Sequence, residues 1–116
     1  MRRLWMVISC LLLSTAANAE YSVKEYREMR AKKDDIAWAV FRNYINGVGT
    51  GYQWANEFVA ADHKARYFCQ PQRLSMNADN YISIIDGMLM DMSNVPETQD
   101  VELLLWHGLR KTFPCP

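Results

Sequence analysis

The chain contains no C-x-x-C pair, only 2 histidines, no period-two apolar run and no apolar stretch long enough to cross a bilayer. Each absence removes a class of protein. Without closely spaced thiols and imidazoles there is no ligand set for a structural zinc. Without alternating apolar residues there is no signal for a half-buried strand. The most apolar run, Leu4 to Leu13, is broken by Ser9 and Cys10, and about 20 residues are needed to span a membrane. Charge of neither sign dominates: 13 basic residues face 13 acidic ones, with no basic patch, so nucleic acid is not an expected partner.

Catalytic patterns are missing too. His63 lies in a polar stretch beside Asp62, which reads as a solvated loop residue. His107 follows Trp106 on an otherwise apolar segment and reads as an interfacial histidine, with no nucleophile or orienting acid that can be placed beside it. Asp34 and Asp35 are neighbours in a charge run, not a carboxylate pair set across a cleft. The expectation is a protein that is not an enzyme and takes no cofactor or metal.

The N-terminus carries Arg2 and Arg3, then the apolar run, then Ala17-Asn18-Ala19, a small-x-small cleavage pattern. Together these predict a secretory signal peptide over 1–19, cut after Ala19. The mature chain would run from Glu20 to Pro116 as a single domain with no membrane span. Losing two arginines leaves 11 basic residues against 13 acidic, a net charge of −2. Cys10 would leave with the signal, so that Cys69 and Cys115 remain. Two cysteines in a small exported chain point to one disulfide, in preference to a catalytic thiol or a metal pair. Closing a loop of that length is worth about 4 kcal/mol in the chain-entropy model.

What is present is helical periodicity. Ser22 and Glu25 form a capping box and predict a helix starting near Val23, with Val23, Tyr26 and Met29 as a thin apolar stripe. The charge run from Arg30 to Asp35 reads as a solvated face or a break. From Ile36, the residues Ala37, Val40, Phe41, Tyr44, Val48, Tyr52 and Ala55 recur at steps of three or four. Within this stretch, "YINGVGTGYQWAN" has the glycines of a phosphate loop but not their spacing, and no strand precedes it. Gly47, Gly51 and Ala55 share one row and predict a face for close helix packing. Gln70-Pro71 reads as a helix stop. Ser75 or Asn77 can cap the next helix, whose apolar face is Tyr81, Ile82, Ile85, Met88, Leu89 and Met92. "SNVPETQD" reads as a turn, with Pro96 in the loop or the first helical turn. Val101, Leu104, Leu105, Gly108 and Leu109 face the core of the last helix, which ends at Phe113-Pro114-Cys115. The fold class is all-α, with three or four helices and one disulfide.

A second row on the last helix, Leu103, Trp106 and Arg110, lies off its core face, and "MLMDMSN" mixes methionines with Asp91 beside a loop. Trp106, Arg110, Met92 and Asp91 are therefore the candidate partner contacts, since Trp and Arg are enriched where binding energy concentrates. A second core face is the competing reading.

In order, "YINGVGTGYQWAN", "FCQP" (Phe68 to Pro71), "NYISIIDGML" and "LRKTFPC" resemble the Rap/Tai immunity proteins of bacterial type VI secretion. The resemblance covers about Tyr44 to Cys115. It implies a periplasmic, mostly helical protein, often a homodimer, that binds and blocks a toxic effector, typically a peptidoglycan amidase. Two other readings stay open: an envelope binding or assembly module, and a small acid-stress periplasmic chaperone.

Overall fold

The computed structural model describes residues 20–32 and 35–116. The predicted signal peptide and its cleavage site lie outside them. The described residues form four helices: α1 (Val23–Ala31), α2 (Ile36–Ala61), α3 (Ala78–Asp91) and α4 (Val101–Thr112). They contain no strand, only an isolated antiparallel bridge between Ser22 and Asp100. The fold is all-α with one disulfide, Cys69–Cys115.

Local chemistry sets the helix starts. Ser22 Oγ accepts the Glu25 N–H at 3.2 Å, and the Glu25 carboxylate accepts the Ser22 N–H at 2.9 Å, a reciprocal capping box. The two remaining free amides of this first turn are used elsewhere. Val23 N–H donates to the Gln99 carbonyl at 2.9 Å and Lys24 N–H to the Glu97 carbonyl at 3.0 Å. Val101 N–H returns a bond to the Tyr21 carbonyl at 2.8 Å. The start of α1 therefore holds the segment between α3 and α4. For α3 the cap is Asn77, paired reciprocally with Asn80.

α2 ends at Ala61, well before Pro71, so the proline is not what stops it. His63 takes a left-handed φ of 60°. His63 N–H donates to the Ala60 carbonyl at 3.0 Å and Lys64 N–H to the Val59 carbonyl at 2.9 Å. This is a Schellman ending with histidine where glycine is usual. Residues 62–77 then run without regular structure to the start of α3.

The inner side of α2 carries Trp38, Phe41, Ile45, Gly49 and Asn56. Val23 and Tyr26 of α1, Tyr81 and Ile85 of α3, and Leu104, Leu105 and Leu109 of α4 complete the core, with Phe68 from the long loop. Each such side chain, fully buried, stabilises the fold by about 1.5–3 kcal/mol. Two glycines permit close approach. A Cβ on Gly49 would fall on the ring of Tyr81, and one on Gly108 would strike Ile84. Gly47 and Gly51 do not act this way, since a Cβ on either meets nothing within 4 Å. With Ala55 they lie exposed, as do Ala37 and Val40. The expected packing row of α2 is thus displaced: the inner row passes through Gly49, and the predicted one faces outward.

Side-chain polar bonds tie the helices together. Asp86 on α3 accepts the Tyr26 hydroxyl at 2.5 Å and the Arg30 guanidinium at 3.0 Å. Burial, reinforced by Asp86, pushes the Tyr26 hydroxyl far above its usual range. Glu102 Oε1 accepts the Tyr21 N–H at 2.9 Å and the Tyr44 hydroxyl at 2.7 Å, fixing the start of α4 to α2.

Candidate partner-binding surface

Both cysteines of the described chain are bonded to each other, with Cα atoms 4.9 Å apart, so neither is a free nucleophile. His63 ends α2 through its backbone, and its side chain is exposed. His107 is exposed on α4. Several large apolar side chains stand exposed on the surface.

One group of them lies where the end of α3, the 92–100 segment and α4 meet. Met88, Met92, Val95, Pro96, Leu103 and His107 line a groove there of about 330 Å³. Met92 is 46 % exposed, Leu103 44 %, and the neighbouring Met90 85 %. Methionine side chains adapt to irregular partners, and exposed apolar clusters of this kind mark interaction sites. Ion pairs flank the 92–100 segment: Lys111 to Asp91 at 2.9 Å, and Arg27 to Glu97 at 3.4 Å. Both are exposed and add little to stability. The backbone of the segment is held by the α1 amides described above and by the Gln99 N–H, which donates to the Pro96 carbonyl at 3.0 Å.

The four sequence candidates divide. Met92, the C-cap of α3, lines this groove, whereas Asp91 beside it does not and pairs instead with Lys111. Arg110 is exposed on α4, two turns beyond Leu103. Trp106 is not part of the groove. Its half-buried ring packs on Tyr52 and Tyr67, each at 5.1 Å between centroids, and on Phe68 at 6.0 Å. Trp106 thus belongs to the seam between α4, α2 and the long loop, the second core face that was its competing reading. Met90 entered the sequence reading only within "MLMDMSN", and Val95 only within the turn "SNVPETQD". Their only signal was an apolar residue set among polar ones at a helix end, which periodicity alone assigns to no face.

The long loop is fixed at its far end. Asn56, almost fully buried, accepts the N–H groups of Tyr67 and Phe68 at 2.7 and 3.2 Å, and donates to the Phe68 carbonyl at 2.7 Å. Cys69 N–H donates to the Phe113 carbonyl at 2.7 Å, beside the disulfide. Glu57 pairs with Arg66 at 3.0 Å along the same loop, and the guanidinium lowers the Glu57 carboxyl below its ordinary range.

No family model, curated protein or solved structure matches the chain.

Proposed function

We propose that this chain is an exported, periplasmic immunity protein that binds and blocks a type VI secretion effector, a peptidoglycan amidase. The observation that carries the reading is the apolar surface around Met92 and Leu103, beside a segment whose backbone is already hydrogen-bonded to α1. An inhibitor that enters a cleft gains most when its inserting segment is ordered beforehand, because little conformational freedom is lost on binding. The 92–100 segment meets that requirement, and its methionine and leucine flanks supply area that loses water on contact. The Cys69–Cys115 bond joins the "FCQP" and "FPC" landmarks on which the Rap/Tai resemblance rests. Occlusion needs no reactive group on the inhibitor.

The test is a peptidoglycan hydrolysis assay with the cognate amidase, encoded beside an immunity gene. Equimolar protein is expected to stop release of cleaved stem peptides. Undiminished hydrolysis at stoichiometric excess overturns the reading.

A further inference from the structure

We infer that cleavage after Ala19 completes the fold: the α-ammonium group it creates on Glu20 pairs with the inner carboxylate oxygen of Glu102. The inference rests on the proposed export and cleavage, and not on the effector.

Glu102 stands in the first turn of α4, and only one side of its carboxylate is used. Oε1 accepts the Tyr21 N–H at 2.9 Å and the Tyr44 hydroxyl at 2.7 Å. Oε2 is closed off from solvent and has no hydrogen-bond partner among the described residues. A buried charged oxygen without a donor has lost its water and gained nothing in return. The neighbours of Glu102 do not balance its charge. Tyr44 and Tyr52 are neutral, and burial first, then the Glu102 carboxylate, push their hydroxyls above the ordinary range. The arginines of α1 are engaged elsewhere, Arg27 by Glu97 and Arg30 by Asp86. The site has room for one more donor, and a cationic one suits it best.

The backbone indicates where that donor comes from. Ser22 and Asp100 form an antiparallel bridge. Val23 N–H donates to the Gln99 carbonyl at 2.9 Å on one side of it, and Val101 N–H to the Tyr21 carbonyl at 2.8 Å on the other. In an antiparallel pair, one step back along the first segment matches one step forward along the second. Tyr21 therefore stands opposite Val101, and the next position back, Glu20, opposite Glu102. The Tyr21 nitrogen already lies 2.9 Å from Oε1. The Glu20 nitrogen is one residue further on, at most about 3.6 Å along the chain. Glu20 is exposed, so its backbone can turn this nitrogen toward the carboxylate.

While Ala19 is attached, the Glu20 nitrogen is an uncharged amide with a single N–H. Hydrolysis of the Ala19–Glu20 bond consumes one water, leaving a carboxylate on Ala19 and an amine on Glu20. The amine takes up a proton below its ordinary pKa of about 7.7–8.0. It then offers three donors and a full positive charge at the position where Glu102 lacks a partner. A cut one residue earlier or later would set that charge out of register.

The experiment uses the chain beginning at Glu20, disulfide intact, with its α-amino group free or acetylated, and with Glu102 or Glu102→Gln. Acetylation should lower the folded-to-unfolded ratio about 10-fold in urea when Glu102 is present, and about 2-fold or less in Glu102→Gln. Nuclear magnetic resonance titration of the wild-type α-amino group gives a reading that does not depend on the variant folding. Its pKa should stand about one unit or more above the ordinary value. An ordinary α-amino pKa overturns the pairing, as does equal sensitivity to acetylation in both backgrounds; either result assigns Oε2 to a bound water. The mass of the exported chain tests the premise separately. A product that begins elsewhere than Glu20 overturns the cleavage and the pairing together, whereas one that begins at Glu20 and is indifferent to acetylation overturns the pairing alone.

Discussion

Asn56 of α2 and Phe68 of the long loop are joined by two hydrogen bonds in opposite directions: the Asn56 amide donates to the Phe68 carbonyl at 2.7 Å, and its carbonyl accepts the Phe68 N–H at 3.2 Å. A third bond comes from Tyr67 N–H at 2.7 Å. One buried side chain thus satisfies three backbone groups of a loop that has no regular structure of its own. Asn56→Ala leaves those groups without partners, and each costs about 1–3 kcal/mol when buried. The variant should lose about 3 kcal/mol in urea unfolding. A loss below about 1 kcal/mol would show that water replaces the amide there.

His63 ends α2 in a backbone region that costs a side-chain-bearing residue about 1–2 kcal/mol. Its imidazole makes no contact that the Schellman ending requires. His63→Gly should therefore raise stability by about 0.5–1 kcal/mol, after the entropy glycine brings to the unfolded chain. His63→Val should lower it. Thermal melts of the two variants give the sign directly, and a destabilised glycine variant would assign the imidazole a structural contact.

The pH dependence has two limbs. Asp79 beside Arg42 and Glu57 beside Arg66 have carboxyls held below their ordinary range. They ionise more readily folded than unfolded, so their contribution is present above the ordinary carboxylate range and lost as pH falls through the folded values. Both pairs are exposed, so this acid limb is shallow and salt-sensitive. Tyr26, Tyr44, Tyr52 and Tyr81 have hydroxyls raised above their ordinary range, chiefly by burial. Their contribution is complete below the unfolded value near pH 10 and lost as pH rises through the folded values. Ultraviolet titration should show these tyrosines ionising together with loss of helical dichroism. Reversible ionisation of all six tyrosines near pH 10 in a fully helical protein would contradict the burial.

The proposed contact surface around Leu103 and the α4 seam separate by mutation. Leu103→Glu should abolish inhibition with a change in stability of about 0.5 kcal/mol or less, because the side chain is exposed. Trp106→Ala should cost about 2–3 kcal/mol through lost aromatic packing and disturb inhibition only as far as the fold loosens. Inhibition constants measured beside melting temperatures distinguish the two. Full inhibition by Leu103→Glu would move the contact elsewhere.

Much of the fold was legible because its signals are local. The Ser22–Glu25 box sets the start of α1, and Asn77 was one of two caps considered for α3. With Cys10 assigned to the expected signal peptide, Cys69 and Cys115 left one pairing, and they are bonded. The failures have physical reasons. α2 ends by a histidine adopting a glycine conformation, which no residue type announces, so Pro71 was given a role the chain had already filled. Two apolar faces on one helix blur the period, so short residues such as Ala37 and Val40 were assigned inward while Trp38 took the core. Asn56 lies in register with Ile45 and Gly49, but a polar residue on an inner face has no meaning until the returning loop supplies its partners. The binding surface was half legible: Met92 lines it, whereas Asp91 lies beside it and Trp106 carries a hot-spot residue type into the packing seam.

The bond from Cys69 to Cys115 closes a covalent ring that contains all of α3 and α4 and the 92–100 segment between them. A protease that nicks this segment opens the ring without dividing the molecule. Both pieces remain tethered through sulfur, and separate on a gel only after reductant is added. In the proposed periplasmic setting, outside the reach of cytosolic repair, one backbone break in this segment would leave the molecule in one piece.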